Sequence, residues 1–274
     1  MESLCEARAF IIDMDGVLWH GDQAVEGLVD FFHALNKKNI RFILATNNAS
    51  LTPEQYVSKL QRMGVSVQAS QILTSGMATA LYLSEQVTPS ATRVYVIGEQ
   101  GARQPLLDQG FHLTGDYEIY SDDRSSVGAD VVVCGKDEML NWDKLATATL
   151  NIHAGARFIG TNADTTLPTE RGLTHGNGAI LAALEAATGV APTIIGKPEP
   201  IMYRQALELL IVNPAQTIAI GDRLETDILG AVRAGIGSIL VLSGVSTEAE
   251  ADAVDYQPTC ILEDIRAITR LVLS

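Results

Sequence analysis

The sequence predicts an α/β protein built on parallel sheet. Two observations predict it. Short apolar runs rich in β-branched residues lack the apolar/polar alternation of a half-exposed strand, as expected for strands covered on both faces. These runs alternate along the chain with longer stretches of helical spacing. The length, 274 residues, is about two domains' worth and suffices to bury a core without disulfides or a structural metal.

Taken in order, the strand runs are residues 9–12, 41–45, 93–97, 130–134, 157–159, 193–195, 217–220 and 238–242. Helical stretches fall at 28–38, 53–62, 144–154, 179–187, 200–210 and 226–234. Thr52 with Pro53 marks one helix start, and Gly235 after Ala234 marks one helix end. Gly76 and the Gly189 to Pro192 stretch are candidate hinges. The segment between them has its own strand–helix alternation, so it reads as a separate α/β unit inserted into the first. The stretch from Thr161 to Gly178 is polar and long for a connection in this class.

Composition narrows the partners. Hydrophobic residues are 47% and charged residues 19%, which is ordinary for a globular chain. Nineteen Lys and Arg against 33 Asp and Glu give a formal charge of −14. Such a surface repels nucleic acid and anionic lipid, so an anionic ligand needs a local cation or backbone N–H groups. The three cysteines, Cys5, Cys134 and Cys260, form no C-x-x-C pair. With no leader-like apolar segment at the start and no run long enough to span a bilayer, a cytoplasmic protein is expected.

The chemistry collects where apolar runs end. The first runs into Asp13-Met14-Asp15-Gly16, the second into Thr46-Asn47-Asn48, another into Gly196-Lys197-Pro198, and another into Gly221-Asp222, with Asp227 five residues on. In open α/β sheets, ligands bind at the carboxyl ends of strands. If extended geometry persists to Asp15, the two acids point to one side. Paired acids there can hold a cation, supply a nucleophile, or serve as acid and base; a capped, solvated turn is the plainer use. Thr46 and its neighbours offer a hydroxyl and backbone N–H donors to an anion, or form an ordinary turn. Lys197 is a rare cation beside an acidic set. Gathered in one cleft, Asp13, Asp15, Asp222 and Asp227 repel one another and raise each other's pKa values. Oxygen-only donors suit Mg²⁺, and no His or Cys spacing supports zinc. With Mg²⁺ present, a carboxylate can attack a phosphate, Thr46 and Lys197 can hold the transferring oxygens, and the resulting aspartyl-phosphate must be cleaved by water.

At these residues the chain resembles the haloacid dehalogenase (HAD) superfamily. Asp13-Met14-Asp15-Gly16, Thr46-Asn47, Lys197 and Gly221-Asp222 through Asp227 match its four motifs in order. Asp15-Gly16-Val17-Leu18-Trp19, Gly196-Lys197-Pro198 and the run Phe158 to Asp164 are similar to the subfamily IIA branch, with its NagD-like and 4-nitrophenylphosphatase-like proteins. The resemblance implies a Rossmann-like core from residues 1–75 and 190–274 with an inserted α/β type-2 cap at 76–189. It implies Asp13 as nucleophile, Asp15 as general acid and then base, and Thr46, Asn47, Asn48 and Lys197 as phosphate ligands. Mg²⁺ would take the Asp13 carboxylate, the Asp15 carbonyl oxygen and Asp222, with Asp227 in support. Asn162 and Asp164, on the cap, are candidate substrate contacts, though an Asx turn serves equally well there. Trp142 before Asp143-Lys144-Leu145, and Cys134-Gly135-Lys136-Asp137, depart from the branch's pattern.

The expected function is Mg²⁺-dependent hydrolysis of small phosphomonoesters such as a sugar phosphate, phosphoglycolate, a nucleotide or 4-nitrophenyl phosphate. The alternatives are a phosphotransferase or mutase of the same superfamily, or a non-catalytic regulator that binds a phosphometabolite. A homodimer is the commonest closed assembly, with the cap, by resemblance, as its contact.

Overall fold

The computed structural model describes residues 7–120, 127–169 and 172–274. Cys5 and the first six residues of the N-terminal stretch read for a leader lie outside the described residues. The chain forms two compact units. The first takes in residues up to Thr46, then Pro53–Leu73 and Lys197–Ser274; the second takes in Asn47–Thr52 and Thr74–Gly196.

The first unit carries a six-stranded sheet in the order Cys260–Leu262, Gly237–Val241, Thr217–Gly221, Ala9–Ile12, Arg41–Thr46, Ile72–Thr74. The central pairings are parallel. Ala9–Ile12 is buried along its whole length, as its unbroken apolar sequence requires. Register then positions the chemistry. Ile12 pairs with both Leu44 and Ile220, so the chain leaves all three strands at one level. Asp13 N–H continues the ladder to Ile220 O at 2.8 Å. Asp13, Thr46 and Asp222 therefore emerge together. Helix Leu28–Lys37 buries Leu28, Phe31 and Leu35 on one face and packs against Ile265–Leu273.

The second unit carries a five-stranded parallel sheet in the order Thr193–Ile194, Arg157–Gly160, Val131–Cys134, Arg93–Ile97, His112–Leu113. Tyr95, Val132, Phe158, Leu181 and Leu184 form its core. Asn141 caps helix Trp142–His153, its side-chain oxygen accepting from Lys144 N–H at 3.0 Å.

Two expectations need correction, on residues 193–195 and on the stretch from Thr161 to Gly178. Residues 193–195 are not a strand of the first sheet: Thr193–Ile194 pairs with Arg157–Gly160 in the second. A run of three β-branched residues shows that a strand forms but not which sheet takes it. Gly76 lies in the first turn of helix Ser75–Gln86, just past the unit boundary between Leu73 and Thr74, and a Cβ there would collide with the Gly101 carbonyl. The Thr161 to Gly178 stretch is not all loop, because Thr166–Thr169 and Gly172–His175 pair as an antiparallel hairpin. Among the described residues, no helix is long and apolar enough to cross a membrane.

Candidate active site

Lys197 organises the first unit's acids. Its Nζ donates to Asp13 Oδ1, to Asp227 Oδ1 at 2.7 Å and to Ala45 O at 3.0 Å. The lysine side chain is only 4% exposed and that of Asp13 12%, so both ions are largely out of water. Burial pulls the lysine's pKa down, but Asp13 and Asp227 together outweigh it and hold the ammonium above the usual lysine range. Lys197 reaches this position from the end of the second unit's sheet rather than from a strand of the first.

Asp227 is fixed by its own backbone. The chain after Arg223 opens into a π-helical turn over Leu224–Ile228, where the sequence predicts plain helix from Thr226. Asp227 Oδ2 accepts from Arg223 N–H at 3.1 Å while Oδ1 accepts from Lys197, so both its oxygens are engaged.

Asp222 differs. Its Oδ2 accepts from Val245 N–H at 2.9 Å, while its Oδ1 is buried and receives no hydrogen bond from any described residue. Two glycines leave room for this side chain. Gly16 turns at φ 84°, a left-handed value, and a Cβ there would lie 2.5 Å from Asp222 Oδ2; a Cβ at Gly244 would collide with the same carboxylate. Burial first, and then Asp227, push the Asp222 carboxyl up to about 7. Asp13 is raised for the same reasons, burial leading and Asp227 and Asp222 adding, against the pull of Lys197.

One oxygen from each of Asp13, Asp222 and Asp227 lies within 4.8 Å of the others. Three carboxylates face one ammonium, and one buried oxygen lacks a partner. Hard oxygen donors with surplus negative charge fit a small divalent cation such as Mg²⁺.

Asp15 stands apart. It is exposed, and its Oδ1 accepts from Trp19 Nε1 at 2.8 Å. The assigned strand ends at Ile12, although Asp13 N–H continues its ladder and Asp15 forms an isolated bridge with Trp19. The Asp15 carboxylate is not in the three-acid cluster. Thr46, buried at its strand end, hydrogen-bonds Tyr56; that bond only partly offsets the upward push of burial and Asp15 on the tyrosine's pKa.

Asn47, Asn48, Asn162 and Asp164 fall in the second unit. Asn47 Nδ2 lies 3.2 and 3.3 Å from the two Asp164 oxygens, and Asn162 Nδ2 donates to Asn47 O at 2.8 Å. Asn162 Oδ1 accepts from Asp164 N–H at 3.2 Å, and Asn48 Oδ1 from Ser50 N–H at 3.0 Å, so both sites hold Asx turns. Sequence reasoning missed Trp19 and Tyr56 as neighbours of the acids. Trp19 stood within the quoted Asp15 to Trp19 motif; Tyr56 had no local signal.

A profile described as haloacid dehalogenase-like hydrolase matches residues 10–112, and a second, HAD-hydrolase-like profile matches 194–268. An acid sugar phosphatase of Staphylococcus saprophyticus is 38% identical over 263 residues, covering 96% of this chain and 97% of that relative. A thermostable NPPase from Geobacillus stearothermophilus superposes with TM-score 0.84 at 37% identity, over 95% of this chain and 97% of that one. A 4-nitrophenylphosphatase from Thermotoga maritima gives TM-score 0.89 at 31% identity, over 98% and 99%. The chain belongs to the haloacid dehalogenase-like hydrolase family. Within that family it falls in the NagD-like, 4-nitrophenylphosphatase-like branch of subfamily IIA.

Proposed function

We propose that this hydrolase cleaves small phosphomonoesters with Mg²⁺, through an aspartyl-phosphate on Asp13. The observation that carries the reading is Lys197, buried between Asp13 and Asp227 beside the unpartnered Oδ1 of Asp222. Asp13 attacks phosphorus with Oδ2 while Lys197 holds Oδ1. The phosphorus–oxygen ester bond breaks, and Asp15 gives its proton to the departing oxygen. Asp15 then takes a proton from water as that water attacks the acyl phosphate, releasing inorganic phosphate and restoring Asp13.

Asp13, Asp222 and the Asp15 carbonyl would hold Mg²⁺, with Asp227 placing Lys197. Bound there, the ion supplies charge that offsets repulsion between carboxylate and phosphate. Thr46 Oγ and the backbone at Asn47 and Asn48 serve as phosphate donors. In this reading residues 1–75 and 190–274 make the catalytic core, and the insertion at 76–189 selects the substrate, with Asn162 and Asp164 as contacts. The acid sugar phosphatase relatives make sugar phosphates the first class to screen.

Hydrolysis of 4-nitrophenyl phosphate, with and without Mg²⁺, tests the reading. Asp13→Asn should lower turnover by more than about 10³-fold, the scale seen when a covalent nucleophile is removed. Metal-independent turnover, or an active Asp13→Asn protein, rejects it.

A further inference from the structure

Asp15 is exposed while its partner is not. Trp19 is wholly buried, yet its indole N–H reaches the Asp15 carboxylate at 2.8 Å. The indole is anchored without any help from Asp15. Gly16 N–H donates to Trp19 O at 2.8 Å, and Trp19 pairs with Ala24 in a short hairpin. The Tyr56 ring stacks on it, centroids 6.3 Å apart and planes at 18°. Lys59 Nζ sits 4.5 Å from the ring centroid, within cation–π range, and is itself held by Gly21 O at 2.7 Å. A rigid buried donor thus fixes an exposed acceptor, rather than the reverse.

We propose that Trp19 is a positioning residue for proton transfer: its indole N–H pins Asp15 through Oδ1 and leaves Oδ2 to carry the proton to the leaving oxygen. The inference rests on the reading of Asp15 as general acid. As the ester bond breaks, the proton moves from Oδ2 to the departing oxygen and Asp15 becomes a carboxylate. The indole hydrogen bond strengthens at that moment, so it favours the transition state over the ground state. Its value depends on the leaving group, since 4-nitrophenolate departs without a proton and a sugar alcohol does not.

The test compares a sugar phosphate with 4-nitrophenyl phosphate. Trp19→Phe keeps a ring and removes the donor. It should lower the first-turnover rate of alcohol release from the sugar phosphate by roughly tenfold, as loss of a hydrogen bond to a charged group would, and first-turnover release of 4-nitrophenolate by less than about threefold, with KM near wild type for both. Lys59→Met should act in the same sense but less strongly, and it decides the matter if Trp19→Phe does not fold. Asp15→Asn is run in parallel. If it slows first-turnover release of the leaving group from both substrates alike, a step in which Asp15 has not yet acted as base, the general-acid reading fails and the inference with it. If it is selective while Trp19→Phe or Lys59→Met slows both equally, or changes only KM, the positioning role alone fails. A second readout needs no turnover. The chain has two tryptophans, and the other, Trp142, is 82% exposed. Asp15→Asn should shift one indole N–H resonance and leave the other in place; two unmoved resonances overturn the proposal.

Discussion

In the first unit, strands Ala9–Ile12 and Thr217–Gly221 run out into Asp13 and Asp222; in the second, Val131–Cys134 and Arg157–Gly160 run out into Gly135 and Thr161-Asn162. Both sheets are parallel and both ends carry buried polar groups. They differ in how those groups are satisfied. In the second unit Asn177 Nδ2 donates to Cys134 O at 3.1 Å and Asn162 O at 2.8 Å, and Asn162 Nδ2 to Asn47 O. The buried Cys134 thiol is pushed up to about 12 by burial, so it stays neutral. In the first unit two carboxylates share one ammonium, and a third keeps a buried oxygen unpaired. A parallel sheet supplies the platform in either case. The capacity for chemistry lies in a cluster of carboxylates that outnumbers its cation on one platform, where the other sets the Asp164 carboxylate against the Asn47 amide.

The comparison is tested most sharply at lysine. Lys197→Met strands two carboxylates, those of Asp13 and Asp227. Breaking a buried ion pair by removing one partner costs about 3–5 kcal/mol, and the metal-free protein should lose stability on that scale in denaturant titration. Turnover on 4-nitrophenyl phosphate should fall with it, since Asp13 loses its partner. Lys136, in the second unit, pairs with Glu138 at 2.8 Å in the open, its side chain 34% exposed. Lys136→Met should cost less than about 1 kcal/mol. Equal costs for the two substitutions would show that burial of Lys197 carries no special weight.

A smaller effect follows from Asp222. Its folded pKa is raised to about 7, above the ordinary carboxylate value. The folded state therefore binds a proton more tightly than the unfolded chain does. That contribution to stability is complete below the ordinary value and is lost as pH rises through about 7. Asp13 shifts in the same direction and adds to the trend. Metal-free protein should melt at a lower temperature at pH 8 than at pH 5. Mg²⁺ should raise the melting temperature more at pH 8, where the carboxylates are ionised and ready to bind it. A melting temperature that rises from pH 5 to pH 8 in the absence of metal would contradict the assignment of Asp222 as an uncompensated buried acid.

Much of this was legible in the sequence, and the boundary is physical. Each apolar run read from the sequence became a strand, and most are buried because a strand covered on both faces must be apolar, though Thr193–Ile194 is not buried. Asp13, Thr46 and Asp222 were legible for the same reason, as each follows such a run. The sheet that receives the 193–195 run was not, since partner choice depends on contacts between distant segments. The π-turn that aims Asp227 was also hidden, because its sequence reads as helix. The unpartnered oxygen of Asp222 has no sequence signature; it depends on where Gly244 and Val245 return, more than twenty residues later.

The second unit offers the finest test, at Asn177. Its amide bridges two backbone carbonyls, those of Cys134 and Asn162, and its Oδ1 accepts weakly from Cys134 Sγ at 3.4 Å. Asn177 is 5% exposed, so water cannot readily replace the bonds it makes. Asn177→Ala takes the side-chain donor from the Asn162 carbonyl and leaves the Cys134 carbonyl with Thr161 N–H at 2.9 Å, at a cost of about 1–3 kcal/mol. Because the network is neutral, that loss should not vary between pH 5 and pH 8, unlike the change expected around Asp222. Loss of the bridge also frees the Asn162 turn, whose amide holds the Asn47 carbonyl. The variant should therefore raise KM for a sugar phosphate while kcat on 4-nitrophenyl phosphate stays within about twofold, the pattern of lost uniform binding. A pH-dependent loss, or a fall in kcat as large as that of Lys197→Met, would mean that the second sheet's polar ends share in the chemistry, and the contrast between the two platforms would fail.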